Sequence, residues 1–320
     1  MGTPEFAVAS LEALVKAGCK IVGVITAPDK PAGRGMKLNQ SAVKKYAVEN
    51  GLNVLQPQKL KDPEFLEQLK ALKADLQDVV AFRMLPEAVW DMPPMGTINL
   101  HGSLLPQYRG AAPINWAIMN GEKETGVTTF KLKHEIDTGD ILLQESFPIG
   151  EDDTAGDVHD RMKEIGAGLL VETIRGLADG TLKEKPQIST TKGELEIAQS
   201  PNSPLITSTS QLKQAPKIHT HNCLINLDDP VEKVHDVIRG LSPHPGAFLI
   251  INEKILKVYR SKKEVCFPKE TEGDYETDGK TFLKFACANG YIHFLDVQME
   301  GKKRMSIEEF LKGYRFSGNV

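Results

Sequence analysis

The chain has 320 residues, 40% apolar and 26% charged, which is enough for two domains with sizeable cores. Only 6% are aromatic, so base stacking on nucleic acid is not advertised, and a net charge of −4 argues against a basic DNA coat or tail while leaving room for a local RNA-binding patch. Basic residues outnumber acidic ones 17 to 15 from Ile206 onward and trail them 22 to 28 before it, so the C-terminal part is slightly the more basic.

The chain opens on MGTPEFAVASLEALVKAG, a Gly-rich turn and then an amphipathic helix over 5–17, with Phe6, Leu11 and Leu14 on its apolar side and Gly18 as its stop. Such a turn normally closes a first β-strand, and no strand stands ahead of this one. KIVGVIT (20–26) reads as a β-branched strand buried on both faces. Residues 27–40, APDKPAGRGMKLNQ, hold too much Pro and Gly for either element and read as a loop. A helix (SAVKKYAVENG), a strand (LNVLQP), a helix (DPEFLEQLKALK) and two strands (ADLQDVVAF and GTINLH, 96–101) follow. This alternation predicts an α/β domain with a mostly parallel sheet. Asp78 interrupts one of these apolar strands. A buried, unpaired carboxylate costs several kcal/mol, so Asp78 is expected to meet a partner or sit at the strand's edge.

A helix from Pro113 comes next, then strands TGVTTFKL and GDILLQESFPI around KHEIDTGD, then a long amphipathic helix, TAGDVHDRMKEIGAGLLVETIRGLADG. Residues 185–215 are rich in Ser, Thr, Pro and Gln, the composition of a linker. Beyond it lie one helix (DDPVEKVHDVIRGL), several short β-like runs and a closing helix (MSIEEFLKG), which suggest a small β-barrel. The division expected is therefore 1–184, a linker 185–215, and 216–320. Cys19, Cys223, Cys266 and Cys287 form no C-x-x-C pair and suit a reducing compartment. No apolar run of membrane length and no leader is visible, so the expectation is a cytoplasmic protein without a membrane partner.

The most informative stretch is NLHGSLLPQYRGAAPINWAI (99–118). Asn99 and His101 stand two apart at the end of a strand and share a face, at the sheet edge where open α/β folds place ligands. Asp137 sits in a loop between two later strands. Asn can donate an N–H to a developing oxyanion, His can give or take a proton near neutral pH, and a carboxylate can orient that His. The trio suits attack of an amine on a carbonyl carbon. The same spacing is also that of an ordinary loop His and turn Asp. His219, His221 and Cys223 alternate along one segment as metal ligands can, but a fourth ligand is not evident, and a strand leading into the barrel is the alternative.

The whole string N-x-H-x-SLLP-x-x-RG-x-x-P, followed by ETGVT and D-TGD-I, resembles the folate-dependent formyltransferase family. GTPEFA, PDKPAGRGMKL and RGAAPINWAI are similar to the branch acting on methionyl-tRNA, and the resemblance resumes at APKI and IRGLSPHPGAF. It implies a Rossmann-like sheet and an OB-like C-terminal barrel. It also implies an apolar strand ahead of GTPEFA with Met1 at its last position, so the sheet of this chain is expected to lack its first strand. Asn99, His101 and Asp137 match the catalytic trio. The implied co-substrate is 10-formyltetrahydrofolate and the implied partner is initiator methionyl-tRNA, with no metal, no DNA and a monomeric chain. The folate pocket would lie against AFRMLPE, bringing in Phe82, Arg83, Met84 and Leu85, and against Ser103, Leu104, Leu105 and Pro106. Most relatives carry Gly at the position of Arg83, which can narrow the pocket or point outward. Loop 27–40 would reach the tRNA acceptor stem through Lys30, Arg34 and Lys37, and Arg109 would also meet tRNA. On the barrel, Lys254, Lys257, Arg260, Lys262, Lys263, Lys302, Lys303 and Arg304 can follow an RNA backbone or serve as solvated strand edges. Two alternatives within reach of the resemblance are a formyltransferase of an amino sugar nucleotide and a folate- or tRNA-binding protein without activity.

Overall fold

Local signals account for most of the helices in the computed structural model, which describes residues 1–32, 37–187 and 212–315. Helix α1 (Glu5–Lys16) buries Phe6, Ala7, Ser10 and Leu14. The short strand β1 (Val24–Ile25), the hairpin β2 (Lys30–Ala32) and β3 (Lys37–Asn39), and helix α2 (Ala42–Glu49) follow. Ser41 caps α2 by accepting the Lys44 N–H at 3.0 Å. After β4 (Val54–Leu55), helix α3 (Pro63–Ala71) begins with Asp62 accepting the Glu64 N–H and Pro63 in the first turn. Strand β5 (Gln77–Val80), the single-turn α4 (Glu87–Trp90) and β6 (Thr97–His101) lead to β7 (Arg109–Gly110) and α5 (Pro113–Met119). Strands β8 (Glu124–Lys131) and β9 (Ile141–Pro148) precede the long helix α6 (Ala155–Ala178).

Contacts gather the chain into two compact units that interleave in sequence, where composition suggested a single break at 185–215. The first is Met1–Arg109, Gly126–Ser146 and Asp160–Gln214. The second is Gly110–Thr125, Phe147–His159 and Ala215–Val320. Residues 188–211 of the expected linker lie outside the described residues.

Within the first unit, β5 and β6 pair in parallel, β6 and β8 antiparallel, and β9 flanks β8. A separate parallel ladder joins β1 and β4. The peptide of Met1–Gly2 stands between the two ladders: Gly2 N–H donates to the Ile25 carbonyl at 3.1 Å, and Val80 N–H donates to the Met1 carbonyl at 2.9 Å. Gly2 has to be glycine there, because a Cβ would lie 2.5 Å from the Ala7 Cβ and 2.9 Å from the Val80 carbonyl. The ladders are shorter than the apolar runs that suggested them. Of KIVGVIT only Val24 and Ile25 are laddered, since a β-branched segment registers as strand only where a neighbour offers it backbone partners. Loop 27–40 contains the β2–β3 hairpin, in which Pro31 faces Leu38. A two-stranded ribbon consists of edges, so Pro is tolerated in it.

In the second unit a 3₁₀ turn (Thr220–Cys223) follows β10 (Gln214–Ala215), and helix α7 (Val231–Gly240) packs with β11 (Ala247–Ile251) and β12 (Lys254–Val265). Strands β13 (Tyr275–Thr277), β14 (Leu283–Cys287), β15 (Gly290–Met299) and β16 (Met305–Ser306) extend an antiparallel sheet in the order β11-β12-β15-β14-β13, with β16 beside β15, and α8 (Ile307–Gly313) follows. The antiparallel, β-rich second domain expected from the short strands is present. Its core joins Val231, Val234 and Ile238 of α7 to Leu256, Val258, Phe285, Ile292 and Phe294 of the sheet. All four cysteines are free thiols, and among the described residues no helix is long and apolar enough to cross a membrane.

Candidate active site

Strand β6 orients the two polar groups that the sequence singles out. Its pleat sends Asn99 and His101 to one side, while Ile98 and Leu100 enter the core on the other. In the ladder with β8, Asn99 faces Phe130 and His101 faces Thr128. The Phe130 ring meets the imidazole edge-on at 6.4 Å. Asn99 is half-buried and its side chain makes no hydrogen bond among the described residues, so its amide can receive a ligand.

His101 is only 7% exposed. Its Nε2 lies 2.9 Å from the Tyr108 carbonyl oxygen. A carbonyl can only accept, so Nε2 carries the proton of the neutral ring and Nδ1 holds the lone pair. Nδ1 faces Asp137 Oδ2 at 3.8 Å. The ring's lone pair is thus the atom that faces the carboxylate, and it is placed to take a proton during a reaction. Asp137 itself has φ +56°, a left-handed turn conformation in which Asp is one of the better-tolerated side chains. The structure thus brings two of the three expected groups face to face and sets the third two residues away on the same strand.

The SLLP segment owes its shape to a partner outside the motif. The Thr128 hydroxyl donates to the Ser103 carbonyl at 2.6 Å and accepts from the Leu105 N–H at 3.1 Å and from Gln144 Nε2 at 2.9 Å. That exhausts the hydroxyl's hydrogen-bonding capacity. Gln144 also donates to the Leu105 carbonyl, and Ser103 Oγ donates to the Gln107 carbonyl at 2.6 Å. Ser103 and Leu105 are buried, while Leu104 and Pro106 are half-exposed. Ser103 and Leu105 are thus engaged in holding the turn, and any direct part in ligand binding falls to their neighbours.

Loop 81–87 leaves the C-terminal end of β5, beside β6. Phe82 and Leu85 pack on the cluster of Ile25, Leu60, Phe65, Leu69 and Val89, while Met84 is 73% exposed. Arg83 points outward: its guanidinium donates to the Pro57 and Gln58 carbonyls, with Phe82 beneath it at 5.6 Å. Glu87 pairs with His134 at 3.2 Å, so this loop meets the turn that carries Asp137.

Gln187 is a residue that the sequence reading left inside the linker. Its amide nitrogen donates to the Asp137 carbonyl at 2.9 Å and to the Gly139 carbonyl at 2.7 Å, and its amide oxygen accepts from Arg109 Nε at 3.2 Å. The KPQ run carries no periodic or turn signal, and both contacts cross some fifty residues or more, which sequence spacing does not reveal. Thr128 and Gln144 escaped notice for the same reason. Arg109, expected to meet tRNA, is turned toward Gln187; burial lowers its pKa, while Asp137 and Glu135 act to raise it.

Lys30 is exposed on β2, Lys37 lies on β3, and Arg34 lies outside the described residues. On the second unit, Lys257 donates to the Pro245 carbonyl, Arg304 pairs with Asp296 at 2.7 Å above the Tyr259 ring, and Lys263 lies 4.0 Å from Glu151. His219, His221 and Cys223 occupy a 3₁₀ turn and its N-cap instead of an extended strand. The two imidazoles stack at 5.8 Å, and the Cys223 thiol donates to the His219 carbonyl, so they do not converge as a ligand set.

An α/β domain with Asn99 and His101 on one strand and Asp137 in the turn that faces them, together with an antiparallel β domain, is the architecture of the formyl transferases. The formyl transferase family model matches residues 1–174 and its C-terminal domain model matches 217–315; the chain belongs to this family. It is 48% identical over 322 residues to the methionyl-tRNA formyltransferase of Bacteroides fragilis, covering 99% of this chain and 94% of that protein. It is 50% identical over 321 residues to the methionyl-tRNA formyltransferase of Parabacteroides distasonis, covering 98% and 94%. Among solved structures, an N-formyltransferase from Helicobacter canadensis, in complex with folinic acid and dTDP-3-aminofucose, has a TM-score of 0.64 at 21% identity over 95% of this chain and 97% of that one, which speaks to the fold.

Proposed function

We propose that this chain transfers the formyl group of 10-formyltetrahydrofolate to the α-amine of methionine esterified to initiator tRNA. The full-length likeness to methionyl-tRNA formyltransferases supports the acceptor. The observation that carries the chemistry is the His101 Nδ1 facing Asp137 Oδ2 at 3.8 Å, on the same strand face as the unengaged Asn99 amide. The neutral amine attacks the formyl carbon and gives a tetrahedral oxyanion. Asn99 and the protonated His101 stabilise that charge, Asp137 holds the imidazolium, and the amine's proton passes to N10 of the folate as the carbon–nitrogen bond breaks. Loop 81–87 offers half-buried Phe82 and Leu85, exposed Met84 and backbone groups to the pterin, and the 104–106 turn adds Leu104 and Pro106. Lys30 and Lys37 of the hairpin strands, Arg34, and the basic residues of the second unit would meet tRNA phosphates. The reading sets the chain in the cytoplasm, acting as a monomer.

The test incubates the purified chain with 10-formyltetrahydrofolate and methionyl-tRNA and measures formylmethionine, with an amino sugar nucleotide as the competing acceptor. Formylmethionine is the expected product, and His101→Ala is expected to lower the rate by about 10²–10³. A folded chain that makes no formylmethionine overturns the acceptor, and a full-rate His101→Ala overturns the site.

A further inference from the structure

We propose that Gln187 is a positioning residue for the transfer, its amide keeping the Asp137 turn against His101 and keeping Arg109 off the Asp137 carboxylate. This rests on the reading of His101 and Asp137 given above.

Gln187 is delivered to the site by a short antiparallel bridge. Lys185 N–H donates to the Ile141 carbonyl and Ile141 N–H donates to the Lys185 carbonyl, each at 2.8 Å, just past the D-TGD turn. From there the side chain fills its hydrogen-bonding capacity: two N–H groups on the carbonyls of Asp137 and Gly139, and the oxygen on Arg109 Nε and Nη2. Carbonyls only accept and a guanidinium only donates, so the amide has one workable orientation.

The turn needs such a hold. Asp137 is a non-glycine residue in left-handed conformation, and its neighbour Gly139 is pressed onto the β8 backbone, where a Cβ would fall 1.5 Å from the Lys131 carbonyl oxygen. Gln187 clamps the two carbonyls on either side of Thr138. Its second action is on charge. The Nε–Nη2 edge of Arg109 is the edge that a carboxylate takes through two parallel hydrogen bonds. The amide oxygen occupies that edge with a neutral acceptor. Arg109 already feels Asp137 and Glu135 electrostatically, so vacating the edge would invite Asp137 to swing from the imidazole to the guanidinium. His101 would then lose the carboxylate that its Nδ1 faces.

The experiment compares Gln187→Ala, Gln187→Glu and His101→Ala with the parent chain in the formylmethionine assay, measuring kcat and KM for 10-formyltetrahydrofolate, with thermal melts alongside. Gln187→Glu keeps the shape and the Arg109 acceptor but sets carboxylate oxygens against two carbonyls. Both Gln187 variants are expected to lose about 10–100-fold in kcat, because a misplacement of the reacting groups by about 1 Å costs on that order, with KM within about threefold. A loss of fold in one variant leaves the other to decide. Parent-like kcat in a folded Gln187 variant, or a loss that falls on KM instead of kcat, overturns the inference while an inactive His101→Ala upholds the site. A full-rate His101→Ala overturns both.

Discussion

Asp78 occupies the middle of β5 with one oxygen, Oδ1, buried and without a hydrogen-bond partner. The Met1 ammonium donates to the Asp78 backbone carbonyl at 2.5 Å instead of to that oxygen. Burial pushes the Asp78 carboxyl up to about 6, against the pull of the Met1 ammonium and the Val79 N–H. The sign follows from linkage. Below about pH 4 both folded and unfolded chains hold this proton. Between pH 4 and 6 the unfolded chain releases it first, so stability falls as pH rises through that window. A carboxyl that binds its proton at about 6 instead of 3.8 costs the folded state about 3 kcal/mol once ionised. Asp78→Asn is therefore expected to gain about 1–3 kcal/mol in urea unfolding at pH 7.5 and almost nothing at pH 4. An equal gain at both pH values would show that Asp78 is solvated. The sequence expectation that Asp78 would find a partner or an edge thus holds for only part of the carboxylate.

At the scale of elements, the turn between β8 and β9 carries the densest constraints. Gly139 is the closest approach of two backbones in it, with no room for a Cβ between it and Lys131. Gly139→Ala has to push the turn away from β8, and with it the carbonyls that Gln187 holds. Expected is a loss of about 1–3 kcal/mol in stability and at least about tenfold in kcat. A variant that keeps its rate would place the Asp137 turn outside the chemistry. This turn also marks where sequence reading stops. Asn99 and His101 were legible because strand alternation fixes their shared face, and helices α2 and α3 because the bonds that start them, at Ser41 and Asp62, are local. Asp137 was legible through the family motif and not through spacing. The β2–β3 hairpin was read as a loop because Pro and Gly outweighed a ribbon whose only partner is itself. Gln187, Thr128 and Gln144 were invisible because their partners lie far along the chain.

At the scale of the molecule, the second unit is not the C-terminal stretch that composition marks off. Arg239 of α7 is buried, and its Nη1 donates to the Gly150 and Asp153 carbonyls at 3.2 and 3.0 Å while Nε pairs with Asp236 at 2.7 Å. His235, one turn earlier, is also buried between the Ser261 hydroxyl at 2.9 Å and the Glu151 carbonyl at 3.3 Å. Burial lowers its pKa, with the Glu151 carbonyl opposing, so it favours the neutral ring. Asn115 of α5 donates to the Gly240 carbonyl at 2.7 Å, and Gly240 lies close enough to Met119 and Asn115 that a Cβ would clash. Segments 110–125 and 147–159 therefore supply acceptors and packing that residues 215–320 do not contain. Cutting the chain at 216 strands a buried guanidinium without two of its acceptors and exposes the α5-facing side of α7. Breaking such a buried charged network costs about 3–5 kcal/mol, a large share of a small domain's stability. A 216–320 fragment is expected to melt at least about 10 °C below the corresponding transition of the full chain, or without cooperativity. Arg239→Ala in the full chain is expected to lower the same transition. Calorimetry of the three proteins decides it: a fragment that melts cooperatively at the full chain's temperature would show that residues 216–320 carry their own complete core.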